Sequence, residues 1–218
     1  AVNSEIADTL RGLNAIDQAG ADRALIDLDG TPNKNRLGGN ALIATSMAIA
    51  HAVAAETHQP LWQYLGEDRE GYFLPLPEIQ IFGGGAHAGR RVDVQDFMVI
   101  AVGAESYAQS LEWTAEVYRS AGKIMRDAGR LQGVADEGGY WPAFNSNEEA
   151  LDSLVRAIEG AGLTPGTAVA LSLDLAATDL DQNGRSQLAK HGSSVHCGGF
   201  SEMREDWHSR ITFALLYC

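Results

Sequence analysis

Cysteine is scarce in this sequence, since only Cys197 and Cys218 occur among 218 residues. Two thiols this far apart give neither a disulfide framework nor the short spacing of a metal–thiolate site. The sequence therefore fits a reducing compartment, and the location it predicts is the cytoplasm.

Basic residues are also few. Lysine and arginine number 16 against 29 aspartates and glutamates, which gives a formal net charge of −13. A surface of that sign repels phosphate backbones and anionic lipid headgroups, so neither nucleic-acid nor membrane partners are expected. A small anionic ligand would need a local positive charge, which a divalent cation held by carboxylates supplies.

The sequence has no long hydrophobic run. Its most apolar stretch, residues 41–55, contains Thr45, Ser46 and His51 and is shorter than the roughly 20 residues that cross a bilayer. This stretch predicts a buried helix. The chain does not open on a charged segment followed by an apolar core and a small-residue cleavage site, so export is not predicted.

Hydrophobic residues make up 45% of the chain, enough for a globular core. From Asn3 to about Asp22 they recur at helical spacing, which predicts a first helix built on Ile6, Leu10, Leu13 and Ile16. The stretch "LDGTPNKNRLGGN" then predicts a loop. Asn40 is placed to cap the helix of residues 41–55, whose apolar surface extends nearly all round and predicts several covering neighbours.

Three later segments predict strands: residues 74–83, 96–102 and 168–177. Two helices are predicted before the third strand, the first capped by Ser106 and the second by a capping box of Ser146 and Glu149. The third segment is continuously apolar, as in a parallel strand covered on both faces. The order strand, strand, helix, helix, strand predicts an α/β fold with a barrel that opens irregularly.

Three acids stand near the ends of these strand segments: Asp96 in "VQDFM", Glu137 in "GVADEGGYWP" and Asp174 in "LSLDLAA". In barrel enzymes the site forms at one end of the strands, so an acid in an apolar strand favours a ligand role. For Asp174 the alternative is a rim carboxylate that pairs with a lysine or caps a backbone amide. For Glu137 the alternative is an ordinary solvated turn, because two glycines follow it. His87, in "GGGAHAG", is on local pattern alone more often a loop residue than a site residue.

Four motifs in this chain resemble those of the enolases, in the same order and spacing. They are "LDGTPNKNRLGGNALIATSMAIAHAVAAETHQPLWQYL", "GGGAHAGRRVDVQDFM", "GVADEGGYWP" and "LSLDLAATDL", and the resemblance covers roughly residues 1–180. It implies a partial enolase fold: residues 1–71 as the mostly helical part of the N-terminal domain, and residues 72–180 as the start of the C-terminal TIM-type (β/α) barrel. Residues 181–218 form a divergent tail that is left unassigned.

The resemblance also implies an activity. Enolases are lyases that remove water from 2-phosphoglycerate to give phosphoenolpyruvate in glycolysis, with Mg²⁺ stabilising the negative charge that develops on the substrate. By motif match, Asp174 is the predicted Mg²⁺ ligand and Glu137 the acid that assists departure of the hydroxyl group. Gln95 and Asp96 are predicted to lie against the substrate, with His87 in a loop that closes over it. A buried carboxyl group there would keep the proton that it must donate. A homodimer formed through the N-terminal domains is implied if the full-length fold is present.

The sequence departs from the family at several points. Asp96 stands where the family has glutamate, and Ala135 stands where a glycine precedes the acidic pair. The family's base lysine, two further metal-binding acids and a second substrate lysine belong to later strands, and the tail after Asp181 shows no motif that matches them. The alternative function is therefore a non-catalytic enolase-like chain that at most binds partners. A related acid-sugar dehydratase is a third possibility, against which "GTPNKNRLGGNA" and "HAG" argue.

Overall fold

The computed structural model describes residues 1–66, 71–85, 88–141, 143–176, 186–188, 193–195 and 213–217, with side chains as far as Ala176. The chain divides into two compact units, Ala1–Phe73 and Leu74–Cys218. Among the described helices, none is long and apolar enough to cross a membrane.

The first unit is helical. A π-helical turn, Val2–Ile6, leads into α1 (Ala7–Leu10), followed by α2 (Gln18–Asp29), α3 (Gly39–Glu56) and α4 (Leu61–Gly66). The single helix predicted from Asn3 to Asp22 is wrong, because the chain breaks after α1 at Gly12, whose φ is +87°. It restarts where the side chain of Asp17 accepts a hydrogen bond from Gly20 N and caps α2.

Two predictions for α3 need correction. The helix begins at Gly39 with Gly38 as its N-cap, and Asn40 is its second residue; within the described part of the chain, no side chain caps this end. Its apolar surface is covered on one side only. Leu42 and Val53 are buried while Ile43 and Met47 are exposed, and the small core of this unit consists of Ile6, Leu25 and Leu42 with four partly buried neighbours.

Asp29 closes the loop between α2 and α3, and its residue surface is only 2% exposed. One carboxylate oxygen accepts hydrogen bonds from the backbone and hydroxyl of Thr31, and the other accepts one from Leu37 N at 2.8 Å. Burial raises the pKa of Asp29, but the hydrogen bonds from Thr31 and Leu37 outweigh burial and hold it below the ordinary value of 3.8.

A lowered pKa in the folded state links the stability of this loop to pH. Asp29 is expected to stabilise the fold fully above 3.8, where the unfolded carboxyl group is also ionised, and to lose that effect as the pH falls through its folded-state pKa. Urea unfolding of the wild type and Asp29→Asn across this range tests the link. The free energies of unfolding of wild type and Asp29→Asn should be similar in acid and should differ at higher pH. Asp27 is an exposed acid on the same helix, and Asp27→Asn should follow the wild type throughout. A constant difference between wild type and Asp29→Asn at every pH would contradict the prediction.

The second unit contains the sheet. Its strands are β1 (Glu78–Gly83), β2 (Asp96–Ile100), β3 (Ala170–Asp174) and β6 (Phe213–Tyr217), in the order β1-β2-β3-β6. A separate pair is formed by β4 (Ser186–Leu188) and β5 (Ser193–Val195). Helices α5 (Tyr107–Asp127) and α6 (Asn147–Gly160) lie between β2 and β3 in the chain, so the predicted element order and the α/β class are confirmed.

The strand directions were only partly predicted. β2 runs antiparallel to both β1 and β3, whereas β3 is parallel to β6. β1 begins at Glu78 rather than at residue 74, because Pro75 and Pro77 have no backbone N–H to donate to a ladder. In the tail, which the sequence left unassigned, the apolar segment "ITFALLYC" contains β6.

The two faces of the sheet differ in polarity. One face packs Ile81, Phe97, Val99, Leu171 and Leu173 against a core shared with α5 and α6. The serine caps that begin these two helices are as predicted, since the hydroxyls of Ser106 and Ser146 accept hydrogen bonds from Gln109 N and Glu149 N at 3.2 Å. The other half of the predicted capping box differs, because the carboxylate of Glu149 accepts from Asn145 N at 2.8 Å. The opposite face carries polar side chains, including Glu78, Gln80, Ser172 and the acids described next.

Candidate active site

Three strand ends meet in register at one edge of the sheet. Gly83 at the end of β1 pairs with Asp96, and Asp96 pairs with Asp174 at the end of β3. Asp96 is the first residue of β2, so it reaches this edge because β2 is antiparallel to its neighbours. The sheet topology thus places two of the predicted acids on adjacent strands at the same edge.

The segment "GVADEGGYWP" lies alongside β1. Its backbone closes a tight loop, with Ala135 N donating to Gly139 O at 2.7 Å and Gly138 N donating to Ala135 O at 2.9 Å. Tyr140 N donates to Ile81 O at 2.8 Å, and Gly83 N donates to Tyr140 O at 2.9 Å. The acidic pair is therefore in a turn, as the structural alternative held, but the turn is fastened to the strand that forms the site edge.

Tyr118 on α5 supports this turn from the helix side. Its ring stacks on Tyr140 with centroids 4.2 Å apart, and its hydroxyl donates to Gly138 O at 2.9 Å. Burial and the neighbouring Tyr140 raise the pKa of Tyr118. The hydroxyl therefore stays protonated and remains a donor at neutral pH.

Gln80 joins the turn to the sheet edge. Its Nε2 donates to Oδ1 of Asp96 and to Oε2 of Glu137, the latter at 3.3 Å, while its Oε1 accepts from Gly139 N at 2.8 Å. Gln80 is not among the site residues predicted from the sequence. The signal available for finding it was one amide side chain in the otherwise apolar run "IQIF".

Asp96 and Asp174 have different surroundings. Asp96 is 4% exposed, and its Oδ2 accepts from Nε2 of Gln95 at 3.1 Å. Asp174 is half-buried, and its Oδ1 accepts from Ala176 N at 2.8 Å. Gln95 N also donates to the backbone oxygen of Asp174 at 3.0 Å, so these three residues form one hydrogen-bonded group.

Of the five predicted site residues, four are brought together: Gln95, Asp96 and Asp174 directly, and Glu137 through Gln80. His87 lies outside the described residues. Glu137 is exposed, so the buried carboxyl group expected at this site is that of Asp96 and not that of Glu137. Their roles in binding or catalysis stay predictions.

The site is acidic on the side that the structure describes. The sequence has three lysines, Lys34, Lys123 and Lys190. Lys34 belongs to the first unit and donates to Thr31 O, and Lys123 is exposed on α5 and paired with Asp127. A cleft of about 430 Å³ beside Glu137 is lined in part by Arg119 on α5. Among the described side chains of the second unit, the lysine is Lys123, which lies on α5 and not on a strand of the site edge. Lys190 lies outside the described residues.

The donor atoms fit Mg²⁺ only in part. Carboxylate oxygens are the hard ligands that Mg²⁺ prefers, and the ion is commonly held by one or two of them together with water. Asp174 has the right chemistry for one such ligand. Within the described ranges there is no group of three or more His, Cys, Asp or Glu residues that would hold a metal ion, so these residues would bind Mg²⁺ weakly.

Comparison with protein families gives a match for each of the two parts of the chain. Residues 1–65 match the family of the enolase N-terminal domain, and residues 71–199 match the family of the enolase C-terminal TIM barrel domain. The second match continues past Asp181 into the segment that the sequence left unassigned, while the predicted domain boundaries at residues 71 and 180 stay predictions. Because these two matches together span most of the chain, the chain belongs to the enolase family.

Proposed function

We propose that this chain takes part in the dehydration of 2-phosphoglycerate to phosphoenolpyruvate, and that its described site forms the leaving-group side of that reaction. Membership of a lyase family supports the reaction class. The observation that carries the proposal is the joint attachment of Asp96 and Glu137 to Gln80 at the sheet edge that also holds Asp174.

The chemistry needs an acid at the departing hydroxyl group. Dehydration takes a proton from carbon 2 and a hydroxyl group from carbon 3, and hydroxide is a poor leaving group unless it is protonated as it departs. Glu137 is the residue proposed to deliver that proton, so that the hydroxyl group leaves as water. Gln95 and Asp96 are proposed to hold the hydroxyl group by hydrogen bonds. Asp96 is one methylene shorter than the family's glutamate, and the amides of Gln80 and Gln95 hold it in place.

Asp174 is the residue proposed to hold Mg²⁺. When bound, Mg²⁺ supplies positive charge that stabilises negative charge on the substrate. A local positive charge is required because the chain carries a net charge of −13 and 2-phosphoglycerate is an anion.

Two further proposals concern the setting of the protein. The scarcity of cysteine supports a cytoplasmic location. Family membership supports a homodimer formed through the N-terminal unit, and the same acidic charge supports a chain without nucleic-acid or membrane partners.

A second candidate function is a non-catalytic enolase-like protein. The observation in its favour is that the site edge, as far as its side chains are described, offers no lysine to remove the proton from carbon 2. Both candidates therefore share one expectation: this chain by itself does not convert 2-phosphoglycerate.

Complementation separates the two candidates. We expect the chain to form no phosphoenolpyruvate alone, and to do so in a Mg²⁺-dependent manner when mixed with a separate polypeptide that carries the later barrel strands of an active enolase. Phosphoenolpyruvate is measured by a coupled assay, with each polypeptide alone as control. Turnover by the isolated chain would show that it contains its own base. A silent mixture whose two parts have associated, as judged by co-elution, would favour the non-catalytic protein.

A further inference from the structure

Gln80 has no role in the predicted set of site residues, yet its side chain is hydrogen-bonded to two of them, Asp96 and Glu137. It lies on the polar face of β1 and is 9% exposed. Its amide nitrogen donates to one oxygen of Asp96 and one oxygen of Glu137, which is 57 positions away in the chain. Its amide oxygen accepts from Gly139 N in the same turn as Glu137.

Two glycines near Gln80, Gly139 and Gly83, have no free space for a side chain. A Cβ added to Gly139 would lie 2.4 Å from Oε1 of Gln80 and 2.8 Å from its Cδ and Cγ. A Cβ added to Gly83 would lie 2.4 Å from the Cβ of Ala135. The turn therefore packs closely on Gln80 and β1, and a larger residue at Gly139 would require the Gln80 side chain to shift.

An uncharged amide suits the position between two carboxylates. Two ionised carboxylates repel each other, and a glutamine offers each of them one N–H without adding charge of either sign. Lysine or arginine would pair more strongly but would also favour the ionised form of an acid that has to carry a proton. A glutamine therefore fixes the two carboxylates without placing a charge beside them.

We infer that Gln80 is the positioning residue of this site: its side-chain amide fixes the carboxylates of Asp96 and Glu137 in one arrangement, and so directs the proton-donating group toward the departing hydroxyl group. The fixed arrangement stands on the contacts themselves, and only its consequence for turnover rests on the proposed function.

The first test needs no activity. In the nuclear magnetic resonance spectrum of the full chain, the two side-chain N–H protons of Gln80 are expected at separate positions. Asp96→Asn should shift one of them and Glu137→Gln the other, while the amide of the exposed Gln132 should respond to neither variant. Gly139→Ala should abolish both responses, because its Cβ displaces the Gln80 amide. A Gln80 amide that responds to neither acid variant would overturn the inference.

The second test measures turnover in the complemented mixture. Gln80→Met keeps the length of the side chain but removes its donors, and it is expected to lower kcat by about 10²-fold, the scale of a misplacement near 1 Å, with little change in KM. Far-ultraviolet circular dichroism and association with the second polypeptide should match the wild type. Unchanged kcat in a folded, associated Gln80→Met chain would overturn the inference and leave the proposed function standing. An inactive wild-type mixture would count against the proposed function alone, and the resonance experiment would then decide the role of Gln80.

Discussion

Glu137→Gln is expected to lower phosphoenolpyruvate formation in the complemented mixture by about 10²- to 10⁴-fold, the range that a positioned general acid contributes. Glutamine has nearly the same shape as glutamate but no proton to give, so the hydroxyl group would have to leave unassisted. The substitution is expected to change kcat far more than KM, since an exposed side chain on a turn contributes little to substrate binding.

The adjacent Asp136 provides the matched control for this experiment. It is also an exposed acid in the same turn, but only Glu137 is bonded to Gln80. Asp136→Asn should therefore leave the rate within about twofold of the wild type, a surface change of the ordinary size. Equal losses from the two variants would mean that the turn acts through its charge or its fold, and Glu137 would lose its role as the acid.

Phe97→Ala is expected to destabilise the second unit by about 3–5 kcal/mol, the usual cost of removing a buried phenylalanine. Phe97 is 0% exposed, and it belongs to the core between the sheet and helices α5 and α6. Because it directly follows Asp96 on β2, its loss also loosens the strand that holds the site edge. Urea unfolding measures the loss of stability, and hydrogen exchange of the β2 and β3 amides measures the loosening of the strand.

Phe73→Ala removes the same atoms from a side chain that is 92% exposed. It should change the free energy of unfolding by no more than about 0.5 kcal/mol. A loss of similar size in both variants would contradict the assignment of Phe97 to the core. If Phe97→Ala lowered the free energy of unfolding only slightly, the sheet would pack less tightly on its helices than the structure shows.

Much of the fold followed from local patterns. The strand segments were found because apolar residues run together there, and the two long helices because Ser106 and Ser146 precede periodic apolar faces. Asp174 stood out for the same reason, since a carboxylate at the end of an apolar strand contrasts with its neighbours. Family resemblance then supplied expected roles for residues that local pattern left undecided.

What the sequence did not predict depends on long-range geometry. The contact between Gln80 and Glu137 joins residues far apart in the chain, and no spacing rule links an amide on a strand to a later turn. The antiparallel direction of β2 depends on how β2 pairs with β1 and β3, and the apolar content of β2 does not determine it. The exposure of Glu137 is likewise a property of the packed turn. The break between α1 and α2 was missed because Leu13 and Ile16 continue the helical spacing while both side chains remain exposed.

The most direct test of the site is to locate a divalent cation on the chain itself. Mn²⁺ is paramagnetic and accepts the same oxygen ligands as Mg²⁺, so it broadens the resonances of nearby nuclei. We predict weak binding, because an ion held by one principal carboxylate keeps most of its waters, and selective broadening of the amide signals of Asp96, Asp174 and Gly139. Asp174→Asn should abolish that broadening, and excess Mg²⁺ should reverse it. Broadening that centres on other acids, or that persists unchanged in Asp174→Asn, would contradict the assignment of this sheet edge as the metal-binding side of an enolase site.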